Sequence, residues 1–147
     1  MSTLSPILLP PLSAVYGAIT RSRLRLYRNG TFRTSTLPAP VISVGNITVG
    51  GTGKTPLVEW VARVLAEEGK KVCILTRGYG RKNANEHVLV SDRSKVLSNA
   101  VEAGDEALLL AERLIGKAAV ISDANRFAAA EGAIKHLGAN CFVLDDG

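Results

Sequence analysis

Apolar positions at the start of the chain recur at helical spacing. Leu12, Val15, Tyr16, Ile19, Leu26 and Tyr27 fall on one stripe, and Asn29-Gly30 supplies a stop signal after it. Residues 31–40, with threonines, a serine and two prolines, read as a linker. The pattern then changes period. Residues 41–44 (VISV) are a short β-branched run closed by Gly45-Asn46, which suits a buried strand. Pro56 stands where a helix would place it at N1, and Leu57, Trp60, Val61, Val64 and Leu65 form that helix's apolar stripe until Gly69 ends it. Residues 71–76 (KVCILT) are a second strand, and residues 87–91 (HVLVS) a third strand or an edge hairpin. A helix opens at Gly104-Asp105-Glu106 and runs to Ile115, followed by a strand at 119–122, a helix at 125–137 and a strand at 141–144.

Strands alternating with helices of roughly 10–15 residues make βαβ units, so the expected class is α/β: a mostly parallel sheet with helices on both faces, preceded by an N-terminal amphipathic helix. The pattern divides into residues 1–40, helix and linker, and residues 41–147, the sheet domain. The last strand has just delivered Asp145 and Asp146 when Gly147 is reached, so the domain reads as truncated.

Composition changes little in this picture. With 46% hydrophobic and 21% charged residues the chain is globular rather than disordered. The net charge of +5 invites a nucleic-acid reading, which its distribution removes. Every acidic residue lies at or beyond Glu59, while Arg21, Arg23, Arg25, Arg28 and Arg33 precede it, so the excess belongs to the N-terminal segment. Arg21, Arg25 and Arg28 share a face opposite the apolar stripe, which fits a helix lying on an anionic membrane surface at about 1 kcal/mol per arginine. No run approaches the ~20 apolar residues of a spanning helix, and the charges follow the apolar stretch, the reverse of a secretory signal. Packing against the rest of the protein and a transit peptide are the competing readings of this segment. Cys73 and Cys141 sit in strand-like runs without metal-ligand spacing and read as buried thiols.

The chemistry concentrates in four places. Gly50-Gly51-Thr52-Gly53-Lys54-Thr55 lies between a strand and a helix. Glycines let backbone N–H groups close around a phosphate chain, Lys54 brings a point charge to it, and the Thr55 hydroxyl is placed to ligate Mg²⁺. Thr48 replaces the first glycine of the usual loop pattern. Asp145 and Asp146 end an apolar strand, where a P-loop enzyme holds Mg²⁺ or its water shell. Asp105, in Ala103-Gly104-Asp105-Glu106, can cap its helix or accept a proton from an attacking hydroxyl. Arg77-Gly78-Tyr79-Gly80-Arg81 follows the second strand, at the strand end where open α/β sheets bind ligands. Its two guanidiniums suit phosphate and its ring suits stacking, with a flexible basic turn as the plainer alternative. A nucleotide-dependent switch without an acceptor remains open at this level.

The string GNITVGGTGKTP at 45–56, RGYGR at 77–81, AGDE at 103–106 and LDDG at 144–147 together resemble the signature of the tetraacyldisaccharide 4′-kinases, in that family's order. The resemblance extends over essentially the whole chain, includes the variant Thr48, and implies a P-loop kinase fold. It implies ATP- and Mg²⁺-dependent phosphorylation of the 4′-hydroxyl of a lipid A disaccharide precursor at the cytoplasmic face of the inner membrane, with no nucleic acid involved. The nucleotide would be cradled by Thr48, Val49, Gly50, Gly51, Thr52, Gly53, Lys54 and Thr55. Lys54 and Asp105 would be catalytic, and Thr55, Asp145 and Asp146 would serve the metal. Arg77, Tyr79, Arg81, Glu106 and Arg126 would face the substrate. The family's aspartate is assisted by a histidine from later in the chain, and neither His87 nor His136 matches it. His136, near a helix end, reads as a dipole partner.

Overall fold

The computed structural model describes residues 9–32, 35–45, 53–83 and 86–145, and the chain divides into two compact units, residues 1–36 and residues 37–147. In the first unit, α1 (Leu9–Arg28) carries Pro10 and Pro11 in its opening turn, where a missing N–H costs nothing. Its last turn holds Arg25 and Arg28 beside the unpaired carbonyls. Gly30 (φ 72°) then reverses the chain, so that the Thr31 and Phe32 amides both donate to the Leu26 carbonyl (3.0 and 3.2 Å). The Phe32 ring meets Tyr27 edge-on with centroids 5.1 Å apart. Val15, Tyr16 and Ile19 remain exposed, and among the described residues no helix is long and apolar enough to cross a membrane.

The second unit is a five-stranded sheet in the order β1-β5-β2-β4-β3. Its strands are β1 (Val41–Val44), β2 (Val72–Thr76), β3 (Val88–Ser91), β4 (Ala118–Ser122) and β5 (Cys141–Asp145). All neighbours pair in parallel except β3, which runs antiparallel to β4. Successive side chains of a strand face opposite sides of the sheet, and the buried residues divide accordingly. Val44, Val72, Ile74, Ala118, Val120 and Val143 meet α2 (Lys54–Glu67), α3 (Ala100–Ala103) and α4 (Asp105–Arg113) on one side. Cys73, Leu75, Ala119, Ile121 and Phe142 meet α5 (Arg126–Leu137) on the other. Helices on both faces of a mostly parallel sheet are the expected class. Both cysteines are buried free thiols, and desolvation pushes Cys73 up to about 12.

Several local expectations are corrected. Residues 41–44 do form a strand, but β1 is an edge strand with Val41, Ile42 and Ser43 exposed and only Val44 buried. A run of apolar residues does not distinguish an edge from the centre of a sheet. The helix after the glycine loop begins at Lys54, so Pro56 occupies its third position, still within the four whose N–H groups lack an intrahelical acceptor. That helix is also rotated from its apparent stripe. Val58 and Ala62 are buried, with Val61, Leu65 and Ala66 packed beside them, whereas Leu57 and Trp60 are exposed. Two apolar stripes overlap on this helix, sharing Val61 and Leu65, and packing against the sheet selects one. Helix α3 was not anticipated. Its N-cap Asn99 accepts from the Val101 and Glu102 amides (3.0 and 3.2 Å), a capping side chain of the expected type before a turn too short to show a period.

A three-residue clasp ties α2 to α4. Glu59 accepts from Arg63 (2.9 and 3.2 Å) and from Arg113 (3.1 Å), and Arg63 also donates to the Arg113 carbonyl (2.7 Å). These hydrogen bonds, first that of Arg63 and then that of Arg113, hold the Glu59 carboxyl below its ordinary value of 4.5. A carboxyl depressed in the folded state stabilises above its unfolded pKa and loses that contribution as pH falls through the folded one. Glu59→Gln is therefore expected to cost about 1 kcal/mol in urea denaturation at pH 7, with the difference starting to shrink as pH falls below 4.5 and lost once the folded-state carboxyl is protonated.

Candidate functional site

Strands β1, β5, β2 and β4 are parallel neighbours, so their carboxyl ends form one rim. Read along that rim, the connections are the segment after Val44, then Asp145, then the loop after Thr76, then the loop after Ser122. Three of the four stretches singled out by sequence, the end of the glycine loop, Asp145 and RGYGR, therefore arrive at the same edge of the sheet, with Arg126 beside them, where open α/β folds bind ligands. The order matters most at β1 and β5. Their register sets Val44 opposite Asp145, so the acidic strand end lies beside the strand that feeds the glycine loop.

Residues 46–52 and Asp146 lie outside the described residues, Thr48, Val49, Gly50, Gly51 and Thr52 among them. The end of the loop is described. Gly53 takes φ 72°, ψ 28°, a left-handed conformation that favours glycine, and caps α2 without a side-chain bond. Lys54 and Thr55 are the first two residues of the helix, both partly buried. They stand where orphan N–H groups and the positive end of the dipole attract anions. Asp145 is 5% exposed. An ammonium, a hydroxyl and a nearly buried carboxylate at adjacent strand and helix ends are the donor set that a nucleotide phosphate with Mg²⁺ requires, so the residues present fit those groups.

The loop after β2 and the start of α4 are joined by two glycines. Gly78 (φ 65°) lies so close to its surroundings that a Cβ there would collide with the Ser122 hydroxyl and come within 2.7 Å of the Ala103 carbonyl oxygen. Gly104 (φ 90°) lies against the same loop, and a Cβ on it would be 2.7 Å from the Tyr79 carbonyl oxygen. The Lys82 amide adds a bond to the Val101 carbonyl (2.9 Å). RGYGR and AGDE thus form one packed unit. Asp105 is the first residue of α4, and Gly104 is the N-cap, so the capping role open to Asp105 from sequence is not the one it fills. Its side chain is exposed, as is that of Glu106 beside it.

The two arginines of the loop differ. Arg77 is exposed, and Tyr79 presents 62% of its surface. Arg81 is turned inward and 8% exposed, and its Nη1 donates to the Glu86 and Ser122 carbonyls (2.6 and 2.9 Å). That guanidinium ties the loop to the end of β4. Arg126, partly buried, opens α5 immediately after the N-cap Asn125, whose side chain accepts from the Ala128 amide (3.2 Å). Sequence reasoning passed over a pair on this rim: His87 Nδ1 lies 2.7 Å from Asp123 Oδ2. The strand-end aspartate was visible, but only the antiparallel pairing of β3, which sets Val88 opposite Ser122, brings His87 to it. His136 lies in the last turn of α5, as its reading required.

A sequence model described as tetraacyldisaccharide-1-P 4′-kinase matches residues 5–147. Among curated proteins, the tetraacyldisaccharide 4′-kinase of Desulfotalea psychrophila is 44% identical over 137 residues, covering 93% of this chain and 39% of its own length. That of Geobacter metallireducens is 47% identical over 140 residues, covering 95% and 41%. A crystal structure of "apo" form LpxK from Aquifex aeolicus in complex with ATP superposes with a TM-score of 0.80 at 40% identity, over 95% of this chain and 43% of that one. The chain spans about two fifths of the length of these curated relatives.

Proposed function

This chain belongs to the tetraacyldisaccharide-1-P 4′-kinase family, and from that premise we propose that it carries the nucleotide-binding and phosphoryl-transfer residues of such a kinase. The reaction is transfer of the ATP γ-phosphate to the 4′-hydroxyl of a tetraacyldisaccharide 1-phosphate, a lipid A precursor. The observation that carries this reading is the rim. Gly53, Lys54, Thr55 and Asp145 converge at one end of the sheet, and Asp105 shares a packed unit with the RGYGR loop on the same edge.

The division of labour follows from position. Residues 48–55, from Thr48 through Val49, Gly50, Gly51, Thr52 and Gly53 to Lys54 and Thr55, hold the triphosphate by backbone and side chain. Thr55, Asp145 and Asp146 would hold Mg²⁺, which when bound neutralises charge on the transferred group. Asp105 orients the acceptor hydroxyl and takes its proton, and Lys54 stabilises the negative charge on the phosphate oxygens. Arg77, Tyr79, Glu106 and Arg126 meet the acceptor, while Arg81 holds the loop of Arg77 and Tyr79 in place. The basic amphipathic helix of the first unit, residues 1–36, holds the sheet unit, residues 37–147, near its lipid at the cytoplasmic face of the inner membrane. Support for that element is the exposed apolar face of α1 and the arginine run beside it.

ATP binding tests the nucleotide half of this reading directly. Lys54→Ala is expected to raise the ATP dissociation constant about 10- to 100-fold in titration calorimetry with the circular dichroism spectrum unchanged, as loss of a charge-assisted contact requires. Equal affinity in both proteins would remove Lys54 from the site.

A further inference from the structure

We propose that His87 and Asp123 are a positioning pair for acceptor recognition, fixing the β4–α5 loop, and with it Arg126, against the loop that follows β2. The acceptor part of this inference rests on the kinase reading above. Both members come from outside the recognised motifs, and they meet only because β3 runs antiparallel beside β4.

The pair is built into the rim rather than laid over it. Asp123 is 8% exposed and both its oxygens are used: Oδ2 faces His87 Nδ1 at 2.7 Å, and Oδ1 accepts from the Asn125 amide at 2.7 Å. An ionised carboxylate only accepts, so Nδ1 carries the proton in this contact. The Asp123 amide donates to the Thr76 carbonyl (2.9 Å), which pins the residue to the end of β2. Asn125 in turn caps α5 through the Ala128 amide, and the first residue of that helix is Arg126. A continuous run of bonds therefore leads from His87 through Asp123 and Asn125 to the turn that carries Arg126.

A second tie crosses the same gap. Arg81, from the RGYGR loop, spans the Glu86 and Ser122 carbonyls on either side of the pair. The segment at 86–87 and the segment at 122–126 are thus joined by two independent polar links, one of them delivered by the loop that packs on Gly104. Exposed ion pairs contribute little. Here the carboxylate is nearly buried while the His87 ring is half exposed, so removing His87 leaves a nearly buried oxygen unmatched, and removing Asp123 releases the Asn125 amide and with it the loop. The consequence falls on Arg126 and not on Lys54, which belongs to a different connection of the sheet.

The test combines binding with a direct view of Arg126. Dissociation constants for ATP and for tetraacyldisaccharide 1-phosphate in detergent micelles are measured on the unsubstituted chain, Asp123→Ala, His87→Ala and His87→Asn, together with the Arg126 Nε–Hε resonance by NMR. Both alanine variants are expected to shift that resonance, weaken acceptor binding about tenfold and leave ATP binding within about twofold. His87→Asn, whose amide nitrogen falls where Nδ1 lies, is expected to restore acceptor binding to within about threefold of the original. Lower melting temperatures with an unmoved Arg126 resonance and unchanged acceptor affinity would overturn the proposal and leave a purely structural pair. Failure of the unsubstituted chain to bind the acceptor would count against the kinase reading alone, and the Arg126 resonance would then decide the role of the pair.

Discussion

Replacing Asp105 by Ala is expected to lower phosphoryl transfer about 10³-fold while ATP affinity stays within about twofold, the effect of losing a positioned general base. The expectation rests on where the carboxylate stands. Asp105 opens α4, outside the capping position, and its neighbour Gly104 is pressed against the Tyr79 carbonyl, so packing fixes the backbone from which the exposed carboxylate projects. Asp105→Asn keeps the size and removes the acceptor for a proton, and it is expected to fall nearly as far as Ala. Initial rates at saturating ATP and acceptor, with ATP affinity measured separately, check this. A tenfold rise in the ATP dissociation constant with transfer otherwise intact would place Asp105 in nucleotide binding instead.

Gly104→Ala and Gly78→Ala are each expected to destabilise the fold by about 3 kcal/mol or more, a large share of the stability of an ordinary domain. Two costs act together at each position. Gly104 sits at φ 90°, ψ 148°, a region closed to other residues, and its Cβ would press on the Tyr79 carbonyl. Gly78 sits at φ 65° with the Ser122 hydroxyl, the Ala103 carbonyl and the Arg81 side chain around it. Neither the Ala103 nor the Tyr79 carbonyl can step aside without moving a helix end or the loop. Guanidinium denaturation of the two variants measures the loss. Gly80→Ala provides the comparison: its φ is 82°, but nothing lies within 4 Å of the added Cβ, so it carries the conformational cost alone.

These glycines also show how far the sequence could be read. Periodicity located every strand and the three long helices of the sheet unit, because β-branched runs and 3.6-residue stripes mark the type of element even where they do not fix which face is buried. The motifs named the rim residues. What escaped was whatever depends on which elements lie side by side. Residues 41–44 look the same whether the strand is central or at an edge, and strand order alone makes β1 the edge. Leu57 and Trp60 are as apolar as Val58 and Ala62, and only packing on β5 and its neighbours decides which face is buried.

The same limit governs the site. RGYGR reads as two guanidiniums for phosphate, but Arg81 closes on the Ser122 and Glu86 carbonyls, and Gly78 serves close packing against the Ala103 carbonyl. His87 and Asp123 are separated by 36 positions and share no motif, so their contact follows from the antiparallel register of β3 and from nothing local. Asp105 as a cap was a reasonable local reading until Gly104 was found to hold that position.

The most direct measurement is transfer of label from [γ-³²P]ATP to tetraacyldisaccharide 1-phosphate. The chain is assayed alone and together with the portion of the Desulfotalea psychrophila relative that lies beyond the matched segment, each with Asp105 intact and as Asp105→Ala. Labelled lipid in at least one of the intact samples, lost in its Asp105→Ala counterpart, is the expected result. ATP bound and hydrolysed in every intact sample with no label on the lipid in any would contradict the kinase function and favour a nucleotide-driven switch.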